Sequence, residues 1–282
     1  VAQAELEDRE MPGAYHRLGF DGPEGKIFIE TTRPELVPAC VALVAHPDDE
    51  RYQHLFGQKA KTPIFGVEVP IVAHRLAQID KGSGIAMICT FGDVTDVIWW
   101  RELKLPMRPI IGFDGRILSD GPQEILEGEG AQLYAELAGK TVFSAKEILV
   151  KAFMESGDMV GEPKPITHPV KFFEKGDKAL EIVSTRQWYI KNGGNDRPLA
   201  EKLIGRGSEM NFHPPFMRVR LEDWINGLNG DWLISRQRFF GVPIPIWYPL
   251  NASGEPDYEN PIVPSSEQLP VDPSSDCPDG FT

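Results

Sequence analysis

The sequence predicts a strand-rich α+β fold. Short stretches of alternating or continuous apolar residues are interspersed with short stretches of helical spacing, without the regular strand–helix–strand succession of a parallel α/β sheet. Two glycine-centred turn signals, Asp114-Gly115 and Lys175-Gly176-Asp177, lie between runs suited to hairpin strands. Hydrophobic residues make up 41% and charged residues 25% of the 282 positions, an ordinary balance for a chain that buries a core. That length suits one large or two modest domains.

The elements follow in order. Residues 26–32 (KIFIETT) alternate apolar and polar side chains and read as a strand. Pro34 stops it, because the residue before proline is pushed away from helical geometry. Residues 40–45 (CVALVA) form the continuous apolar run of a buried strand. Residues 48–56 have helical character, with Asp48 as cap and Gly57 as stop. Residues 67–73 (VEVPIVA) and 84–89 (GIAMIC) read as further strands. Residues 93–105 (DVTDVIWWRELKL) place apolar residues at helical spacing behind an aspartate, with basic residues late, as the helix dipole favours. A hairpin turned by Phe113-Asp114-Gly115-Arg116 comes next, then two helices within 130–154 around Gly139. Residues 167–190 carry a second hairpin, 197–205 and 217–226 are helical, and 242–248 is the last clear strand. From 251 onward Pro, Ser, Asp and Glu dominate, which predicts an irregular or partly disordered segment.

Several function classes are disfavoured. No apolar run approaches the roughly 20 residues of a membrane helix. Residues 1–11 carry acids without the apolar stretch of a secretory signal, and the initial valine suggests a piece of a longer chain. Cys40, Cys89 and Cys277 are too far apart for a disulfide framework or a CxxC site, which fits a reducing cytoplasm. The six histidines include no pair at helical zinc spacing, so no metal is expected. A net charge of −13 argues against tight binding driven by phosphate neutralisation, yet leaves room for a pocket that takes only the end of an RNA.

Two segments concentrate polar chemistry. In the first, Thr31, Thr32, Arg33, Pro34 and Glu35 bring two hydroxyls, a guanidinium and a carboxylate off a strand end together. They suit a polar ligand, and equally a plain strand terminus broken by proline. In the second, the glycines of Lys81-Gly82-Ser83-Gly84 permit close backbone approach, and Asp93 and Asp96 stand three apart at a helix start. An ionised aspartate there can hold an ammonium or position water; it also serves as an ordinary N-cap or first-turn acid. A third segment, 231–248, reads as aromatic core leading into an edge strand with prolines.

TTRPEL at 31–36, AHPDDERY at 45–52, KGSGIAMICTFGDVTDV at 81–97 and DWLISRQRFFGVPIPIWY at 231–248 together resemble the connective-peptide region of valyl-tRNA synthetases. The isoleucyl and leucyl enzymes share similar motifs, but Glu35 after TTRP and the HPDDERY run point to the valyl family. The resemblance implies a β-rich, β-barrel-like editing domain with peripheral short helices at 1–165. It further implies a connecting hairpin, helices and return strands at 166–250, and an irregular segment at 251–282. The implied activity is hydrolysis of threonyl-tRNA(Val) after mischarging. Alternatives are a non-catalytic tRNA-docking module and an isoleucyl editing domain.

By the same resemblance, Asp96 holds the substrate α-amino group, and Asp93 meets the threonine hydroxyl or supports Asp96. Thr31, Thr32, Arg33, Pro34 and Glu35 line the opposite wall around the terminal adenosine. Met87 stands where many valyl enzymes carry a substrate-side lysine, and Gly92 where they carry histidine. Editing needs no cofactor, whereas ATP serves the full-length enzyme. The implied partners are the 3′ end of tRNA(Val) carrying threonine and the rest of the synthetase chain, with no membrane. No residue stands out as a general base, which points to positioned water and electrostatic support of the oxyanion.

The ATP-binding HIGH and KMSKS motifs of that family do not occur in this sequence. The purified chain is therefore expected to form no aminoacyl-adenylate. Valine-dependent ATP–pyrophosphate exchange is the check, and measurable exchange would contradict the expectation.

Overall fold

The computed structural model describes residues 5–228, 230–236 and 241–278. The chain divides into two compact units, Val1–Ser184 and Thr185–Thr282. The fold is α+β and strand-rich, as the sequence predicts.

The first unit is organised by a strand that sequence patterning does not reveal. β1 (Leu6–Gly22) is 17 residues long. Its first half pairs antiparallel with β7 (Lys164–Phe173), from Leu6 opposite Phe173 to Tyr15 opposite Lys164. Its second half pairs antiparallel with β2 (Gly25–Thr31), from His16 opposite Thr31 to Gly22 opposite Gly25. Only the second half buries side chains in alternation, at His16, Leu18 and Phe20. The first half, rich in acids and interrupted by Pro12 and Gly13, carries no period-two signal.

The remaining strands complete one seven-stranded sheet. Its order is β2-β1-β4-β5-β3-β6, with β7 on β1, where β3 is Cys40–Ala45, β4 Lys59–Lys61, β5 Glu68–Ala73 and β6 Ile85–Cys89. The sheet curls into a half-barrel that brings β2 near β6. β3 is buried on both faces, which explains its continuous apolar run. Cys40, Leu43 and Ala45 join the main core with Phe20, Phe65 and Phe153. Val41, Ala42 and Val44 join a smaller core with Ile88 and Trp99.

Short helices close the core. α1 (Val94–Leu103) contributes Trp99. α2 (Gln123–Leu126), α3 (Ala131–Leu137) and α4 (Val142–Ser156) contribute Ile125, Tyr134, Leu137, Ala145, Leu149 and Phe153. On α4 the buried residues recur every fourth position, one stripe of a helix. Gly139, at φ 71°, separates α3 from α4 as the sequence predicts.

Three expectations fail, each for a local reason. Residues 48–56 form turns and a 3₁₀ turn (Gln53–Leu55), not a helix. There the Asp49 carboxylate accepts from both the Arg51 N–H and its guanidinium, an arrangement that competes with helical bonding. The hairpin at 167–190 shrinks to a turn at Gly176 and a bridge between Phe172 and Ala179, because β7 takes β1 as its main partner. Residues 242–248 form no strand: Trp247 bridges Ile262, and Pro243 and Pro245 lack the N–H that a ladder needs.

In the second unit β8 (Tyr189–Ile190) pairs with β9 (Trp232–Leu233), and α5 (Arg197–Ser208) and α6 (Arg218–Asn226) confirm the predicted helices. Residues 237–240 of the 231–248 motif lie outside the described residues. Residues 251–278 are irregular apart from a 3₁₀ turn (Ser266–Gln268) and isolated bridges at Pro256 and Ile262. Among the described residues no helix is long and apolar enough to cross a membrane.

Phe153 is fully buried and Phe143, on the same helix, is 71% exposed. Phe153→Ala is expected to destabilise the first unit by about 3–5 kcal/mol in urea unfolding, and Phe143→Ala by less than about 0.5 kcal/mol.

Candidate functional site

β2 delivers the polar turn at 31–35 to the rim of the main core. The Thr31 hydroxyl oxygen accepts the Arg33 N–H at 3.0 Å, a local bond that turns the chain sharply off the strand. Lys146 Nζ on α4 donates to the Thr32 carbonyl at 2.7 Å and ties the turn to the helix. Pro34 then opens a 3₁₀ turn (Pro34–Ala39) whose residues are all buried. The fixed ring torsion of proline suits that position.

Arg33 is the hub of the turn. Its Nε donates to Glu35 Oε1 at 2.8 Å, its Nη2 to Glu181 Oε2 at 2.8 Å and its Nη1 to the Gly92 carbonyl at 3.2 Å. Burial alone would lower its pKa, but the two carboxylates outweigh that and raise it, so the cation is permanent. Glu35 is buried, and its Oε2 has no hydrogen-bond partner. Such an oxygen is an acceptor open to a donor.

The bond to Gly92 joins this turn to the start of α1. Asp93 is the N-cap, its Oδ1 accepting the N–H groups of Thr95 at 2.7 Å and Asp96 at 3.0 Å. Asp96 completes a capping box, its Oδ2 accepting from Gly92 N–H at 2.7 Å and Asp93 N–H at 3.3 Å. Asp93 is exposed, whereas Asp96 is buried. Burial, helped by the charge of Asp93, pushes the Asp96 carboxyl up to about 7 against the opposing pull of backbone hydrogen bonds.

The structure therefore joins Arg33, and through it Glu35, to Asp93 and Asp96 at Gly92, with Thr31, Thr32 and Pro34 shaping the turn. Met87 is different. It lies opposite Leu43 in the β3–β6 ladder and is packed into the apolar core, so it brings no polar group to this constellation. Sequence reasoning missed Lys146 and Glu181, which reach the turn from positions 114 and 148 residues away. It also missed His16, opposite Thr31 on β1. Burial and the nearby Lys146 charge hold His16 down at about 4, so the imidazole is neutral near pH 7. No local pattern marks any of the three.

A cleft of about 540 Å³ runs along β2 toward the same turn. Arg17, Phe28, Glu30, Arg51, Tyr52 and Ser83 are among its lining residues. The Arg17 guanidinium lies 5.0 Å from the Phe28 ring centroid and that of Arg51 lies 5.3 Å from the Tyr52 ring centroid. The Tyr52 hydroxyl donates to the Ser83 carbonyl at 2.8 Å, which fixes the KGSG loop against the HPDDERY segment. Flat cationic and aromatic groups of this kind accept a nucleobase and its phosphate.

Asp96 gives the site a testable pH signature. Its folded pKa lies above the unfolded value, so its contribution to stability is complete below about pH 4 and is lost as pH rises through about 7. Asp96→Asn should remove that loss. Urea stability measured from pH 4 to 8 is expected to fall less steeply in the variant, by on the order of 4 kcal/mol at most.

The family profile described as tRNA synthetases class I (I, L, M and V) matches residues 1–260. The chain is 70% identical over its whole length to a valine–tRNA ligase of Leifsonia xyli subsp. xyli, covering 33% of that protein. It is 66% identical to one of Thermobifida fusca and 62% identical to one of Cutibacterium acnes, in each case across the whole chain and 32% of the relative. The chain thus spans about a third of the length of the curated relatives it matches. On the extent of the profile match, the chain belongs to the class I tRNA synthetase family (I, L, M and V).

Proposed function

We propose that the first unit hydrolyses the ester of threonine wrongly attached to tRNA(Val), the editing reaction of a valyl-tRNA synthetase. The observation that carries this reading is the junction at Gly92, where the Arg33–Glu35 turn and the Asp93–Asp96 helix start are joined by hydrogen bonds. The similarity to valine–tRNA ligases names the amino acid and the tRNA whose products would need checking.

In this reading the cleft along β2 takes the 3′ end of the tRNA, with bases against the Phe28 and Tyr52 faces. Asp96, ionised, holds the substrate ammonium in a charge-assisted hydrogen bond. Asp93 caps the helix through Oδ1 and keeps Oδ2 to accept the threonine hydroxyl. A positioned water attacks the ester carbonyl, the bond to the ribose oxygen breaks, and the water's proton ends on that ribose oxygen. The Arg33 cation supports the negative charge that develops on the carbonyl oxygen. ATP has no part in this reaction and belongs to synthesis by a full-length enzyme. The rest of a synthetase chain and tRNA(Val) are the partners.

Valine and threonine are nearly isosteric, so size cannot protect the correct product. A site that hydrogen-bonds the hydroxyl leaves its own polar groups unpaired when valine enters, and such sites discriminate by up to about 10⁴–10⁵-fold. Single-turnover deacylation is therefore expected to be fast for threonyl-tRNA(Val) and slow for valyl-tRNA(Val). Asp93→Ala should narrow that gap by slowing the threonyl reaction, and Asp96→Ala should abolish it. The kcat/KM of the wild type should rise with pH through about 7 as Asp96 ionises. Equal rates for the two esters would refute hydroxyl recognition, and binding of tRNA without hydrolysis would leave only a docking role.

A further inference from the structure

Asp96 adds one contact to the capping box that it completes. In that motif the side chain reaches back to the N–H of the cap residue. Here that bond, to Asp93 N–H, is the longer one at 3.3 Å, and the 2.7 Å bond goes one residue further, to Gly92. A β-carbon built on Gly92 would lie 2.8 Å from Asp96 Oδ2 and 3.1 Å from Leu36 Cδ1. In this chain the carboxylate therefore occupies space that a β-carbon at 92 would claim. On its other side, Gly92 presents its carbonyl to Arg33 Nη1 at 3.2 Å.

We propose that Gly92 is a positioning residue of this site: its missing side chain draws the Asp96 carboxylate over the backbone, while its carbonyl holds the Arg33 guanidinium. One residue then sets the spacing between the two polar walls, although it touches no substrate itself. The inference rests on the editing reading only in supposing that Asp96 acts on substrate; the placement of Asp96 stands apart from it.

The placement has a chemical consequence. Over Gly92 the carboxyl is buried, and the groups around it are Asp93 on the same helix, the Cys89 thiol on β6 and the Arg33 guanidinium beyond the Gly92 carbonyl. Arg33 is already shared between Glu35 and Glu181. The carboxyl thus titrates near neutrality instead of with ordinary aspartates. A methyl group at 92 meets the free end of a side chain, so the cheapest response is for the Asp96 carboxylate to swing out toward water.

The test is a ¹³C-carboxyl NMR titration of Asp96 in the wild type and in Gly92→Ala, together with single-turnover deacylation of threonyl-tRNA(Val). Gly92→Ala is expected to lower the Asp96 midpoint by about two to three units, toward the ordinary value near 3.9. It should slow the chemical step by about a hundredfold with little change in KM, as a misplaced group does. Should Gly92→Ala prove too unstable to titrate, the same substitution in an Asp96→Ala background decides the matter. With no carboxylate to displace, the double variant should melt close to Asp96→Ala alone. An unchanged Asp96 midpoint, or an equal melting loss in both backgrounds, overturns the proposal. A shifted midpoint in a protein without deacylase activity upholds the role of Gly92 and refutes the editing reading.

Discussion

The backbone pairing of β1 is the constraint on which the first unit depends. Its 17 residues satisfy their hydrogen bonds first with β7 and then with β2, changing partner between Tyr15 and His16. The first half closes a long excursion of the chain, since β7 begins at Lys164, whereas the second forms a tight hairpin with β2. An unpaired buried peptide group costs as much as a lost hydrogen bond, so the register of one half restricts the other. The end of β2, and with it the turn at 31–35, is placed by that register: Thr31 stands opposite His16, the first residue of the second half.

From this frame the polar site follows by a short chain of contacts. β2 ends, Pro34 forbids continuation, and the chain turns so that Arg33 faces Glu35, Glu181 and Gly92. A half-buried guanidinium has five donors in a fixed fork and needs acceptors for those that water does not reach. The two carboxylates supply charge and the Gly92 carbonyl supplies direction. What emerges is a rigid bridge between a strand end and a helix start, the arrangement in which polar groups are held ready at little cost in reorganisation. The open Oε2 of Glu35 and the near-neutral Asp96 mark the two places in this bridge where proton or donor exchange remains available.

The legible parts of the chain are those where side-chain pattern and backbone need coincide. β3 shows as an apolar run because both of its faces are covered. α1 shows from its cap, its spacing and its late basic residue. The strand β4, three residues with one buried alanine, and the first half of β1 offer no pattern because backbone pairing with a neighbour, not burial, defines them. At 242–248 the aromatic and aliphatic residues look like a strand, but two prolines withhold the donors that would make it one.

Residue identity and local spacing set the groups the site has to work with: a hydroxyl pair, a guanidinium and a carboxylate off one strand, and two aspartates at a helix start. These are local features, set by proline, capping preference and periodicity within a few positions. Long-range packing brings the two segments together at Gly92, joins Glu181 and Lys146 to them, and turns Met87 into the core instead. It also decided that Asp93 is exposed while Asp96, three residues on, is buried and titrates near 7. The reason is physical: identity and spacing fix what a side chain can do, but desolvation and distant charges decide which protonation state it holds, and both arise only when remote parts of the chain pack together.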